Sequence, residues 1–173
     1  DIRRVDAATT SLASAISVVA SALIWCIALG GIAGYFGGLS DDIISRVIDL
    51  FLSFPSMIFA LAIVGALGSS VLNLIMALAL VHWASYARLM RGQVLSAKSN
   101  DYVSSARVIG ASDRRILVKH ILPNALAPVI VLATLDMGHV ILSAAALSFL
   151  GLGIPPSVPE WGSMLNAGKE FMR

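Results

Sequence analysis

Asp136 and His139 are the residues whose types and spacing point most directly to chemistry. They lie three positions apart in an apolar run, LATLDMGH, which places both side chains on one face of a helix. An ionisable side chain inside such a run is costly unless a partner compensates it. Carboxylate and imidazole are suitable ligands for a divalent first-row metal, and His82 in an earlier apolar run is a third candidate. The pattern predicts a polar or metal-contacting position on a transport path.

The same residues have a second interpretation. A buried aspartate and histidine can form a hydrogen-bonded pair whose role is to fix the packing of helices. Two residues do not make a metal site, so no firm metal site is identified. The residues alone leave both interpretations open.

The elements that would hold these side chains are membrane helices. Of the 173 residues, 58% are apolar and only 13% are charged, with a mean hydropathy of +0.88, which is outside the range of ordinary soluble domains. Continuous apolar runs without two-residue alternation argue against a spanning barrel of strands. We therefore expect an all-α, polytopic membrane helix bundle.

Four spans are predicted from the apolar runs and from the glycine, proline and aspartate residues that interrupt them. They are roughly Ser11 to Phe36, Val47 to Leu67, Val71 to Met90, and a fourth from near Asn124 to the GLGIPPSVPEWG loop.

Small and polar residues within the spans predict contacts between helices. Gly30, Gly34 and Gly38 recur every four residues and continue a series at Ala13, Ser17 and Ser21, a spacing typical of close helix packing. Asp49 is expected to cap a helix or to pair with a loop arginine. The lone Cys26 is expected to pack as an apolar side chain. Pro55, Pro123 and Pro128 are expected at kinks or helix starts.

Basic residues concentrate before the fourth span, and loops rich in lysine and arginine lie on the cytoplasmic side. The predicted cytoplasmic loop therefore contains Arg88, Arg91, Lys98, Arg107, Arg114, Arg115 and Lys119. By parity the GGLSDD loop is also cytoplasmic, and the GSS turn and PEWG segment face the opposite side. Within the basic loop, SND begins a short helix, Gly110 ends it, and Ser112 or Asp113 begins another.

The sequence carries no P-loop, HExxH or GxSxG motif and no metal-spaced cysteines. We therefore expect no catalytic residues and no ATP hydrolysis by a P-loop mechanism within this chain.

The stretch DYVSSARVIGASDRRILVKHILPN resembles the cytoplasmic EAA loop of ABC importer permeases, in which E-A-A-x-x-x-G is followed by L-P. The family's glycine and L-P are matched by Gly110, Leu122 and Pro123. Its E-A-A is replaced by Ser104, Ser105 and Ala106, so the acidic position is lost.

Three further stretches resemble the dipeptide, oligopeptide and nickel branch of the same family: RVIDLFLSFPSMIFAL, WASYARLMRGQVLSAK and LSFLGLGIPPSVPEWGSML. The resemblance implies an ABC type I importer permease fold of the "C" subunit type, with about four to five spans present of an expected six. It implies one partial transmembrane domain over residues 1–173, with a cytoplasmic coupling loop at about 93–120.

The implied function is a multi-pass permease of the bacterial inner (cytoplasmic) membrane that is not itself an enzyme. The implied partners are a homologous second permease subunit, two cytoplasmic ATPase subunits that hold ATP and Mg, an extracytoplasmic solute-binding protein and membrane lipid, with no nucleic acid. The chain itself is expected to bind no cofactor. The implied ATPase-coupling residues are Ser104, Ser105, Ala106, Arg107, Gly110, Ala111 and Ser112.

The cargo expected from the sequence is nickel or a nickel chelate, because HWASYAR and LATLDMGH look more like nickel permeases than dipeptide permeases. A dipeptide or oligopeptide cargo is the alternative. An ion-coupled secondary transporter, in which Asp136 and His139 relay protons or ions without ATP, is the alternative from another class.

Overall fold

The computed structural model describes residues 2–155 and 158–168, apart from the side chain of Arg3. Helix accounts for 87% of the described residues, and these residues contain no strand. The expected all-α class is confirmed.

The helices follow one another with short connections. They are α1 (Ile2–Phe36), α2 (Gly38–Ser53), α3 (Ser56–Leu67), α4 (Val71–Lys98), α5 (Asp101–Val108), α6 (Asp113–Arg115), a π-helical segment (Ile116–Ile121), α7 (Leu122–Phe149) and α8 (Trp161–Gly168).

Three helical stretches among the described residues are long and apolar enough to cross a membrane: Arg4–Phe36, Val71–Lys98 and Asp113–Phe149. A fourth candidate is the bent pair α2 and α3, counted as one broken span. This number agrees with the predicted multi-pass protein of about four to five spans.

The predicted second span, Val47 to Leu67, is wrong as one continuous helix. It breaks at Phe54 and Pro55, where Pro55 has an extended ψ of 121° and precedes the first residue of α3. Proline lacks an N–H group, and it disfavours helical geometry in the residue before it. The expectation that Pro55 marks a helix start is confirmed.

The helices beside the basic loop are longer than predicted. α4 continues past Met90 to Lys98, and the last span begins at Asp113 rather than near Asn124. The π-helical segment continues the helix across the charged stretch. At its end the Leu122 N–H donates a hydrogen bond to the Leu117 carbonyl. Arginine and lysine are good helix formers, so a charged stretch ends the apolar run without ending the helix.

Contacts divide the chain into two compact units. Unit 1 comprises Asp1–Ser21, Phe54–His82 and Asp136–Arg173, and unit 2 comprises Ala22–Ser53 and Trp83–Leu135. Because α1, α4 and α7 are continuous, each contributes residues to both units. The predicted single domain over residues 1–173 extends beyond the described ranges and stays a prediction.

Unit 2 is built on a close approach between α1 and α4. A Cβ atom added to Gly30 would lie 2.6 Å from the Ala87 carbonyl oxygen, and one added to Gly34 would lie 2.8 Å from the Arg91 carbonyl oxygen. Cys26 is fully buried in the same unit, as expected for an apolar packing role. The predicted packing face is confirmed at Gly30 and Gly34.

The other residues of the predicted series do not take part in this contact. Ala13 and Ser17 are exposed, and Gly38 lies past the end of α1 with φ +58°. Each four-residue step turns about 40° more than one full helical turn, so a long four-residue series drifts around the helix. Only neighbouring members of the series can share one contact.

Candidate functional site

The three predicted path residues lie together in unit 1. Asp136 on α7 is placed between two histidines: its Oδ2 is 2.9 Å from Nδ1 of His82 on α4, and its Oδ1 is 3.4 Å from Nδ1 of His139. His82 and Asp136 are partly buried, whereas the His139 side chain is 78% exposed. We call these three residues the His–Asp cluster.

The His–Asp cluster has features of both interpretations of the sequence, the packing pair and the exposed polar position. The 2.9 Å contact between His82 and Asp136 is a hydrogen bond that joins α4 and α7. His139 is exposed, and its second ring nitrogen, Nε2, can donate or accept a hydrogen bond. In residues 2–155 and 158–168, no group of three or more histidine, cysteine, aspartate or glutamate side chains is arranged to hold a metal ion. The cluster therefore consists of a hydrogen-bonded pair between two helices and one exposed imidazole.

The coupling loop contains the short helix that the sequence predicts. α5 begins after Asn100 and ends at Val108. The Gly110 N–H donates to the Arg107 carbonyl at 3.0 Å and the Ala111 N–H to the Ala106 carbonyl at 3.1 Å, with Gly110 at φ +86°. These bonds define a Schellman motif, in which glycine tolerates the left-handed backbone. The predicted glycine stop is confirmed.

Two apolar residues that the sequence interpretation missed lie at the end of this helix. Val108 is 88% exposed and Ile109 is 85% exposed, and we call this pair the apolar tip. The available signal was their position at the predicted end of a short helix, directly before Gly110. Of the predicted coupling residues, the exposed ones are Ser104, Ser105, Arg107, Gly110 and Ser112, and the half-buried ones are Ala106 and Ala111.

Ser104 stands where the resembling family has an acidic residue. Its hydroxyl donates to the Asp101 carbonyl of its own helix at 2.9 Å. The side chain carries no charge, so this position cannot form an ion pair with a partner. Any contact made by this part of the loop depends on other residues.

Two ion pairs join α2 to α4 within unit 2. Arg91 binds the Asp41 carboxylate with two nitrogens, Nη2 at 2.6 Å from Oδ2 and Nε close to Oδ1. Arg88 Nη2 lies 2.5 Å from Oδ1 of Asp49. The expected pairing of Asp49 with an arginine is confirmed, although this arginine lies on α4 and not in a loop. The pair of Arg91 with Asp41 was not predicted.

Comparison with known proteins identifies the class. Residues 26–172 match the family described as "Binding-protein-dependent transport system inner membrane component". The chain belongs to this family of membrane transport components.

Curated relatives define the branch. Three of them are a dipeptide transport system permease protein, DppC, from Alkalihalophilus pseudofirmus (45% identical over 99% of this chain and 56% of the relative), a nickel transport system permease protein, NikC, from Escherichia coli K12 (39%, 98% and 61%) and a glutathione transport system permease protein, GsiD, from Pectobacterium atrosepticum (41%, 94% and 54%). The chain spans a little over half the length of these relatives. The predicted resemblance to ABC importer permeases of this branch is confirmed.

Proposed function

We propose that this chain is part of the transmembrane permease subunit of an ATP-driven importer in the bacterial inner membrane. Its family and its candidate spans support this proposal. A homologous second permease subunit completes the path, and an extracytoplasmic solute-binding protein delivers the cargo. Two cytoplasmic ATPase subunits hold ATP and Mg and perform the hydrolysis. The chain itself transmits motion and does no bond chemistry.

The observation that carries the coupling assignment is the apolar tip at the Schellman motif. Val108 and Ile109 are almost fully exposed, and a Cβ atom added to Gly110 would meet nothing within 4 Å. An exposed apolar pair on a short helix fits a hydrophobic groove of a protein partner. Because Ser104 is neutral, the contact with the ATPase in this proposal is mainly apolar at the tip and not ionic at the start of the motif.

The loop is placed to pass on the motion of that partner. It follows directly on the end of α4 at Lys98 and leads directly into the span that begins at Asp113. When the ATPase subunits close on ATP, the loop is displaced and moves the ends of both helices. The helices move as rigid elements, and their motion changes the side of the membrane to which the path is open.

The experiment that tests this role compares two glycines in the complete complex reconstituted in lipid vesicles. Gly151 ends α7 with the same Schellman bonds as Gly110, at φ +81°, and also has open space around it. Leucine at either position places a side chain in the left-handed region at a cost of about 1–2 kcal/mol. We expect both variants to insert into the membrane, but only Gly110→Leu to abolish ATP-driven uptake. Uptake at the unmodified rate in Gly110→Leu would overturn the assignment.

For the cargo we propose a nickel chelate or nickel. The His–Asp cluster and the 39% identical relative named for nickel transport support this choice. The second candidate is a dipeptide or oligopeptide, favoured by the 45% identical relative named for dipeptide transport.

The same vesicles separate these cargoes. Uptake of radiolabelled nickel, with and without a small chelator such as histidine, is measured beside uptake of a labelled dipeptide. Dipeptide uptake without nickel uptake would reject the nickel proposal. Uptake that persists without ATP and collapses with the ion gradient would instead favour an ion-coupled secondary transporter.

A further inference from the structure

We infer that Tyr35 is a positioning residue that ties the coupling loop to the ends of α1 and α4. This inference rests on the proposed coupling function. Tyr35 is buried near the end of α1, in unit 2, and its hydroxyl donates a 2.5 Å hydrogen bond to Oδ1 of Asp113. Asp113 is the first residue of the span that follows the coupling loop. One phenol thus connects two segments that are far apart in sequence.

A second contact joins the same tyrosine to the other end of the loop. Lys98, the last residue of α4, donates from Nζ to the Tyr35 backbone carbonyl at 2.6 Å. The last carbonyls of a helix have no partner within the helix, so the ammonium group satisfies one of them and favours the negative helix end. Nζ also lies 5.4 Å from the centre of the Tyr35 ring, within the range of a cation–π contact.

A third contact brings in the coupling helix itself. Nη2 of Arg107, near the end of α5, lies 3.9 Å from the same Oδ1 atom of Asp113. The carboxylate is therefore shared by the coupling helix and by Tyr35. If α5 moves and carries Asp113 with it, the motion acts on the short, charge-assisted hydrogen bond between Asp113 and Tyr35 of α1. Motion of the loop is therefore transmitted directly to α1.

The hydroxyl group, and not the ring, is the part that this role requires. Phenylalanine would keep the ring, the contact with Lys98 and the backbone carbonyl. The Asp113 side chain is 64% exposed, so water can replace the lost hydrogen bond on that carboxylate. Removal of the hydroxyl should therefore cost little folding stability while it releases the loop from α1. A purely structural role would show the reverse pattern.

The test uses the complete complex in lipid vesicles and measures ATP hydrolysed per solute taken up. We expect Tyr35→Phe to raise this ratio several-fold, because water can satisfy the Asp113 carboxylate but cannot connect it to α1, with the amount of assembled complex unchanged. Asp113→Ala should have a similar effect, and the double variant should be no worse than the worse single variant. Ser21→Ala is the control, because that hydroxyl bonds the Ser17 carbonyl of its own helix at 2.7 Å.

The outcomes are distinguishable. An unchanged ratio in Tyr35→Phe overturns the inference, and so does a loss of uptake that only follows a loss of assembled complex. Additive effects of Tyr35→Phe and Asp113→Ala also overturn it. If the unmodified complex takes up solute without ATP, the proposed function fails and the inference fails with it.

Discussion

Unit 1 and unit 2 use polar residues differently to join segments that are distant in sequence. In unit 2 full charges do this work, as in the pairs of Asp41 with Arg91 and Asp49 with Arg88. In unit 1 the 2.9 Å contact of His82 with Asp136 stands beside longer, neutral contacts, such as the Ser69 hydroxyl on the Gly151 carbonyl at 3.4 Å.

The two ion pairs of unit 2 both join α2 to α4, so they favour one register of these two helices. Short charge-assisted bonds hold two elements in one register more strongly than long neutral ones. Unit 2 also contains the loop proposed to couple to the ATPase, and two helices held in one register suit the transmission of motion. The His–Asp cluster of unit 1 instead has one exposed imidazole, which suits contact with a solute. Three measurements can break or sharpen this comparison.

The largest expected effect comes from the close approach of α1 and α4 in unit 2. Gly30→Ala would force a Cβ atom against the Ala87 backbone oxygen, and backbone cannot yield cheaply. We expect a loss of about 2–3 kcal/mol in the free energy of unfolding. Gly92→Ala is the matched control, because an added Cβ there meets nothing within 4 Å; it should stabilise α4 by about 0.5–1 kcal/mol.

Denaturant titration of the detergent-solubilised complex would measure both glycine variants. The informative result is the opposite sign of the two changes, since alanine is a better helix former than glycine at both positions. Equal stabilisation by both would show that α1 and α4 are not in close contact.

The next effect separates the two roles proposed for the His–Asp cluster. Asp136→Ala removes the hydrogen-bond partner of His82, and we expect it to lower the free energy of unfolding by about 1–2 kcal/mol. His139→Ala removes an exposed ring, so we expect less than about 0.5 kcal/mol, together with reduced uptake by the reconstituted complex. Normal uptake of every cargo in His139→Ala would remove this residue from the solute path.

The sequence predicts those features that depend on local chemistry. Apolar runs gave the helical class, Pro55 the break before α3, and Gly110 the end of α5, because each acts through its own backbone or its near neighbours. The spacing of Asp136 and His139 predicts that both lie on one helix face, and the structure brings His82, the third candidate, to Asp136 from α4.

The features that the sequence did not predict depend on tertiary contacts or on competing helix signals. Tyr35 lies 78 positions from Asp113, and nothing in the residues near it indicates that partner. The helix start at Ser112 or Asp113 is predicted, but not the continuation of this helix without a break into the apolar run, which makes the span longer than predicted. The apolar tip has little contrast in the sequence, because its two residues belong to a largely apolar chain.

The smallest expected effects distinguish burial from charge as the source of stiffness in unit 2. The Asp41 side chain is 17% exposed and is held by two nitrogens of Arg91, whereas Asp49 and Arg88 are both more than half exposed. Arg91→Gln should therefore cost about 1 kcal/mol, and Arg88→Gln only about 0.3 kcal/mol. The second value should fall towards zero in high salt, because exposed charges are screened.

Double-variant cycles with Asp41→Asn and Asp49→Asn isolate the pairwise energies from the loss of each arginine's other contacts. A larger coupling for Arg91 with Asp41 would show that partial burial and two-point geometry give the α2–α4 contact its strength. Equal couplings that vanish together in salt would mean that unit 2 is held mainly by its helix packing at Gly30 and Gly34. In that case the contrast with unit 1 would rest on backbone proximity and not on charge.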